Sequence, residues 1–164
     1  MRLYHSSDMS VVKPDITHSR DYLDFGKGFY LTSIHEQAVR YAQRFARRQR
    51  DAWLNIYEFE LDGSEWKILK LDSYDRRWLN FVANCRAGKD IYDYDIVIGG
   101  IANDKVIQTL DRYFEGTLSE DETLGLLKYE RPNIQYCIRS QKMLDVCLKY
   151  IKSIQLSNLS FASM

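Results

Sequence analysis

The chain has 164 residues, 45% of them apolar and 28% charged, with a formal net charge of zero. That length and balance describe one ordinary folded domain rather than a disordered tail, and exclude a whole-molecule field that would draw it to nucleic acid or an anionic membrane. No apolar run approaches the roughly eighteen residues of a membrane span, and the opening Met1-Arg2-Leu3-Tyr4-His5 does not read as a signal peptide.

The elements follow in chain order. Residues 2–5 read as a short strand and residues 6–24 as a polar loop. Phe25-Gly26-Lys27-Gly28 then forms a glycine-bracketed turn running into an apolar strand, Phe29-Tyr30-Leu31-Thr32. Ser33 and Glu36 have the spacing of a capping box, which opens a helix to about residue 50 with Ala38, Tyr41, Ala42 and Phe45 on its buried face. Residues 53–61 and 66–71 alternate like strands. A helix over about 75–86 buries Trp78, Phe81, Val82 and Cys85, and Gly88 is placed to end it.

Residues 95–99 are a short apolar strand. Val106, Leu110, Tyr113 and Phe114 mark a helix ending at Gly116, behind a cap at Asn103-Asp104. Ser119 and Glu122 cap another short helix. After Pro132, residues 134–138 read as a strand, Ser140 caps a helix to about 151, and 153–156 add a last strand. Trp53, Trp66 and Trp78 read as core. Strands and helices mix without a regular βαβ repeat or a GxGxxG turn, so the class is α+β. One domain is expected over residues 1–156, followed by a flexible tail over 157–164. Cys85, Cys137 and Cys147 are odd in number without CxxC spacing, and His5, His18 and His35 show no metal-site spacing. A reducing cytoplasm, with no disulfide and no metal, is the expectation.

Three stretches carry more. Leu3-Tyr4-His5-Ser6-Ser7, Asp24-Phe25-Gly26-Lys27-Gly28-Phe29-Tyr30-Leu31-Thr32 and Ile134-Gln135-Tyr136-Cys137-Ile138 resemble, in that order, the three motifs of the diphtheria-toxin-like ADP-ribosyltransferases, a group that includes the poly(ADP-ribose) polymerases. More closely, nearly the whole chain is similar to an uncharacterised bacterial family assigned to that superfamily, with further likeness through residues 93–99 and Ala102-Asn103-Asp104. The resemblance implies an ADP-ribosyltransferase-like fold of split mixed and antiparallel sheets flanked by helices. It implies NAD as substrate, held by His5, the backbone at Ser6, the turn of Gly26 and Gly28, and Tyr30. In that pattern His5 bonds the adenosine-side ribose, Ser6 the nicotinamide carboxamide, and Tyr30 stacks on the nicotinamide ring.

The implied catalytic set is His5, Tyr30 and Gln135. The superfamily pattern places a glutamate where this chain has Gln135, and the chemistry makes the difference matter. Loss of nicotinamide passes through a cationic, oxocarbenium-like transition state that an aimed negative charge stabilises. A glutamine amide can hold the ribose 2′-hydroxyl but brings no charge, a loss worth about 3 kcal/mol. Asp104, Glu130 or a group from a partner would have to replace it.

Two functions follow as expectations. One is mono-ADP-ribosyl transfer to a macromolecular acceptor, in the manner of a bacterial toxin-like effector restrained by an inhibitory, antitoxin-like partner. The other is a non-catalytic module that binds NAD or ADP-ribose to sense or scaffold. RNA 2′-phosphotransfer on the same fold would need basic residues that the motif positions lack. Arg40, Arg44, Arg47, Arg48 and Arg50 read as a solvated helix face, or as contacts to the NAD pyrophosphate or an RNA backbone, which keeps RNA open as a partner. Cys137, on the motif strand, reads as buried and not nucleophilic.

Overall fold

A computed structural model describes residues 1–90 and 92–156. The expected tail over 157–164 lies outside the described residues. The chain is α+β, with two sheets among the described residues. The first holds β1 (Arg2–Ser7), β3 (Trp53–Phe59) and β7 (Leu148–Gln155) in the order β1-β3-β7, all antiparallel. The second holds β2 (Phe29–Leu31), β6 (Asn133–Ile138), β5 (Ile96–Ile101) and β4 (Ile68–Leu71) in the order β2-β6-β5-β4. Its last pair, β5 with β4, is parallel and the others antiparallel.

Three apolar clusters stack these layers. Helix α1 (His35–Arg47) covers the outer face of the first sheet through Ala38 and Ala42, which meet Leu54 and Ile56. Leu3, Phe29, Tyr57, Ile96 and Ile138 fill the space between the sheets, closed at one side by Met143, Leu144 and Cys147 of α5 (Gln141–Cys147). The outer face of the second sheet carries α2 (Arg76–Arg86), α3 (Asp104–Phe114) and α4 (Glu120–Leu127) around Trp78, Val82, Val106, Leu110 and Leu127.

Local signals set most helix ends. Asp75 accepts from the Trp78 amide, Asn103 from Val106 and Ser140 from Met143, while Ser119 and Glu122 complete a reciprocal capping box. Gly88 and Gly116 follow α2 and α3 at φ +75° and +83°.

Several expectations need correction. Ser33 does not cap α1. Its N-cap is Ile34, with no side-chain bond from that residue. Thr32 braces the entry to the helix without capping it: its hydroxyl accepts the Ile34 N–H at 3.1 Å and donates to Gln37 Oε1 at 2.7 Å. Backbone bonds between Thr32 and Tyr4 hold it there. The helix stops at Arg47 rather than near 50, and Tyr41 lies on its open side, 46% exposed, under the Arg44 guanidinium. Arg40, Arg44, Arg47, Arg48 and Arg50 are all exposed, and Arg50 faces Asp8 at 3.5 Å.

The strand expected over 53–61 ends at Phe59, and the one expected over 95–99 runs 96–101. The helix expected to 151 ends at Cys147. Leu148 is already extended, because the open side of β3 gives β7 a partner at every position from Phe59 back to Trp53. Of the three tryptophans only Trp78 is fully buried. Trp53 is half-buried, and so is Trp66, whose indole N–H donates to Asp62.

Candidate functional site

The two sheets touch through β1 and β2. Strand β2 pairs with β6 over Phe29, Tyr30 and Leu31, then leaves it. One residue later Thr32 bonds Tyr4 of β1 in both directions, at 2.8 and 3.0 Å. This junction brings together the three motif strands: β1 with His5 and Ser6, β2 with Tyr30, and β6 with Gln135.

His5 projects between the sheets. Its ring lies 4.1 Å from that of Phe29, and its Nδ1 is 2.7 Å from the Tyr30 carbonyl. A carbonyl only accepts, so Nδ1 carries the proton and neutral His5 presents Nε2 as a lone-pair acceptor. Among the described residues nothing occupies that acceptor. Burial lowers the pKa of His5 below the ordinary 6.5, while the Tyr30 carbonyl works the other way.

The sign of the linkage follows from that shift. Above pH 6.5 both folded and unfolded chains hold His5 neutral. Below it the unfolded chain gains a proton that the fold resists, so stability is lost as pH falls toward the lowered value. We expect chemical denaturation at stepped pH to show part of the loss between pH 7 and 5 disappearing in His5→Gln. An unchanged profile in that variant would assign the loss to other groups.

Ser6 turns the other way. Its hydroxyl donates to the Ala38 carbonyl of α1, tying β1 to that helix. Tyr4 directs its backbone N–H and C=O at β2, and strand alternation puts those of Ser6 on the same edge, beyond the point where β2 pairs. The strand edge expected to hold a carboxamide thus faces the junction.

Tyr30 is half-buried, and its ring packs on Phe25, near-parallel at 6.4 Å between centroids. Its hydroxyl donates to the Gly26 carbonyl at 2.6 Å and receives the Phe25 N–H at 3.1 Å. Burial first, then the neighbouring Cys137 thiol, raises its pKa well above that of a free phenol. The phenol therefore fixes the glycine turn from within.

Both turn glycines have steric reasons. Gly26 sits at φ +75°, and a Cβ on Gly28 would fall 2.5 Å from the Cys137 sulfur and 2.8 Å from the Ile138 carbonyl oxygen. Cys137 is fully buried, its thiol pushed up to about 12 by burial, which fits the expectation that it is not a nucleophile.

Gln135 stands opposite Gly99 and shares a face with Cys137, and so with the Tyr30 side chain. It is half-buried, and its amide makes no hydrogen bond among the described residues. Tyr30 and Gln135 thus share one face of the second sheet, while His5 reaches Tyr30 only at its backbone. Asp104 and Glu130 flank the same end of β5 and β6, and Lys105 joins them by a 3.1 Å contact to Glu130.

Two supporting pairs were not legible in the sequence. Asp24 takes the Arg86 guanidinium at 2.7 Å and the Ala102 N–H at 2.9 Å. Arg139 grips Asp90 by both oxygens, at 2.8 and 2.9 Å, and also holds the carbonyls of Phe25 and Tyr92. Only the adjacency of Asp24 and Arg139 to motif residues marked them. Beneath His5, buried Asn55 donates to the carbonyls of His5 and Met9 and accepts from the Val11 N–H and the Ser153 hydroxyl. It pins the segment that follows β1.

A cavity of about 410 Å³ is lined by Tyr74, Arg76, Leu127, Glu130 and Pro132 among others, and one of about 210 Å³ lies beside β4. None of His5, Ser6, Tyr30 and Gln135 lines either. Among the described residues no cluster of three or more His, Cys, Asp or Glu side chains is placed to hold a metal ion, and no helix is long and apolar enough to cross a membrane.

Residues 1–150 match the family described as "Protein of unknown function (DUF3990)". The chain belongs to that family. The match spans β1, the glycine turn, β2 and β6, so every motif residue lies inside it. Neither the curated proteins nor the solved structures contain a match.

Proposed function

We propose that this DUF3990 chain binds NAD at the junction of its two sheets and transfers the ADP-ribosyl group to a macromolecular acceptor. The observation that carries this reading is the meeting of the three motif strands at one sheet junction, β1 with His5, β2 with Tyr30 and β6 with Gln135, with Tyr30 and Gln135 on one face and His5 bonded to the Tyr30 backbone from the other. The ADP-ribosyltransferase-like fold belongs to the same proposal. Neutral His5 supports it chemically, since a free Nε2 acceptor suits a ribose hydroxyl donor. The outward edge at Ser6 suits the paired donor and acceptor of a carboxamide. Asp104 or Glu130, at the Gln135 end of the sheet, would supply the charge that Gln135 lacks. A toxin-like role in a cytoplasm, under an inhibitory partner, extends the same reading.

A second reading has its own observation. Gln135 is neutral and the Tyr30 phenol is spent on the turn, which favours a module that binds NAD or ADP-ribose without turning it over.

The two readings part on one experiment. NAD should raise the melting temperature of the native chain by mass action, and His5→Ala should lose that shift. Labelled NAD incubated with cell lysate should then label acceptors through the native chain and not through His5→Ala. Transfer only after Gln135→Glu selects the binding module. No shift at millimolar NAD or ADP-ribose defeats both.

A further inference from the structure

The second cavity carries a separate inference. Strand β4 ends its sheet: it pairs with β5 on one side and with no strand on the other among the described residues. The carbonyl of Lys67, just before β4, points at β5, where it accepts from Asp95 and Ile96. Alternation along a strand then directs the backbone groups of Leu69 and Leu71 inward to β5, and those of Ile68 and Lys70 outward.

Both faces of this edge offer apolar surface. Ile68 is 39% exposed on one face. On the other, the 210 Å³ groove runs between β4 and the outer side of α2, lined by Leu69, Leu71, Phe81, Tyr92 and Tyr94, with Arg77 at its rim. It has room for one large side chain. Phe81 and Tyr92 pack at 4.6 Å between centroids, and Asn84 fixes the Tyr92 hydroxyl at 3.0 Å, so the groove is preformed.

Charge selects the occupant. Arg77 and Lys70 are exposed cations with no ion pair or hydrogen bond among the described residues, whereas neighbouring Lys67 is engaged by Asp93. A second copy of β4 would set these cations against each other, which is how an edge lysine blocks self-pairing. A segment bearing carboxylates would satisfy them.

We propose that the β4 edge and its groove bind an extended acidic segment of a partner protein, which adds as a fifth strand. One of its large apolar side chains enters the groove, and a carboxylate meets Arg77. Backbone bonds to Ile68 and Lys70 supply affinity and the groove supplies selectivity, the usual division in strand addition.

The probe is a fluorescein-labelled octapeptide of sequence Thr-Leu-Thr-Glu-Thr-Leu-Thr-Glu, which when extended puts leucine and glutamate on one face, read by anisotropy against the full chain. Saturable binding is expected, weakened about tenfold or more in Arg77→Glu and in Asn80→Trp, which fills the groove rim. Both residues are exposed, and circular dichroism checks that the variants fold. Amide exchange should slow at Ile68 and Lys70 and stay unchanged at Leu69. The proposal is overturned by no binding at millimolar peptide, by equal binding in both variants, or by equal binding of a leucine–lysine peptide. Adenosine monophosphate perturbing the Tyr92 and Tyr94 resonances while the peptide does not would assign the groove to a planar anion instead.

Discussion

Replacing Arg139 with methionine should cost about 3 kcal/mol of stability, the scale for breaking a largely buried ion pair from one side. The Arg139 side chain is 9% exposed and that of its Asp90 partner 23%. Removing it leaves the Asp90 charge uncompensated and strips a donor from the carbonyls of Phe25 and Tyr92. The Phe25 carbonyl belongs to the glycine turn, so the motif loop loosens at the same time. Arg139→Met combined with Asp90→Leu should recover a good part of the loss, because the stranded charge goes too. Urea denaturation of the two variants checks this. A single-variant loss under about 1 kcal/mol would mean the pair is only a surface contact.

Gly26→Ala should cost a similar amount, about 3 kcal/mol, by adding two penalties. The residue sits at φ +75°, and a Cβ there would lie 2.2 Å from the Asp90 Oδ2 that Arg139 holds in place. Gly63 isolates the first penalty. It has φ +86° with nothing within 4 Å of a Cβ, so Gly63→Ala should cost only about 1 kcal/mol. The difference between the two variants then measures how rigidly Arg139 fixes Asp90 against the turn. If the two costs match, the Asp90 carboxylate swings away freely. Because Tyr30 is bonded to the Gly26 carbonyl, Gly26→Ala should also weaken any NAD-induced thermal shift, and Gly63→Ala should leave it intact.

These two expectations show where the candidate site was legible. The glycine turn announced itself, since only certain residues follow such a path. The residues that hold it did not. Asp90 and Arg139 are 49 positions apart, and Arg86 and Asp24 are 62 apart. No local pattern distinguishes them from solvated charges. Tyr30 illustrates the same gap: its motif singled out the ring, while the bonds of its hydroxyl to the Phe25 amide and the Gly26 carbonyl exist only in the fold.

What the sequence determined alone lay within about one helical turn. The caps at Asn103, Ser119 and Ser140 and the turns at Gly88 and Gly116 stand where their residue types require, because the bonds they make reach only a few positions. The α+β class followed from the order of those elements. Tertiary structure decided the rest. Ser33 failed as the cap of α1, whose entry is set instead by Thr32, held by Tyr4 of another strand and bonded to the Ile34 amide. The last helix gave way at Leu148 because β3 offered a ladder that outweighed local helix propensity. It also put His5 and the Tyr30 ring on opposite faces of β2, and left β4 with an open edge. Each of these is a contact between distant segments, and such contacts exist only once the chain has folded.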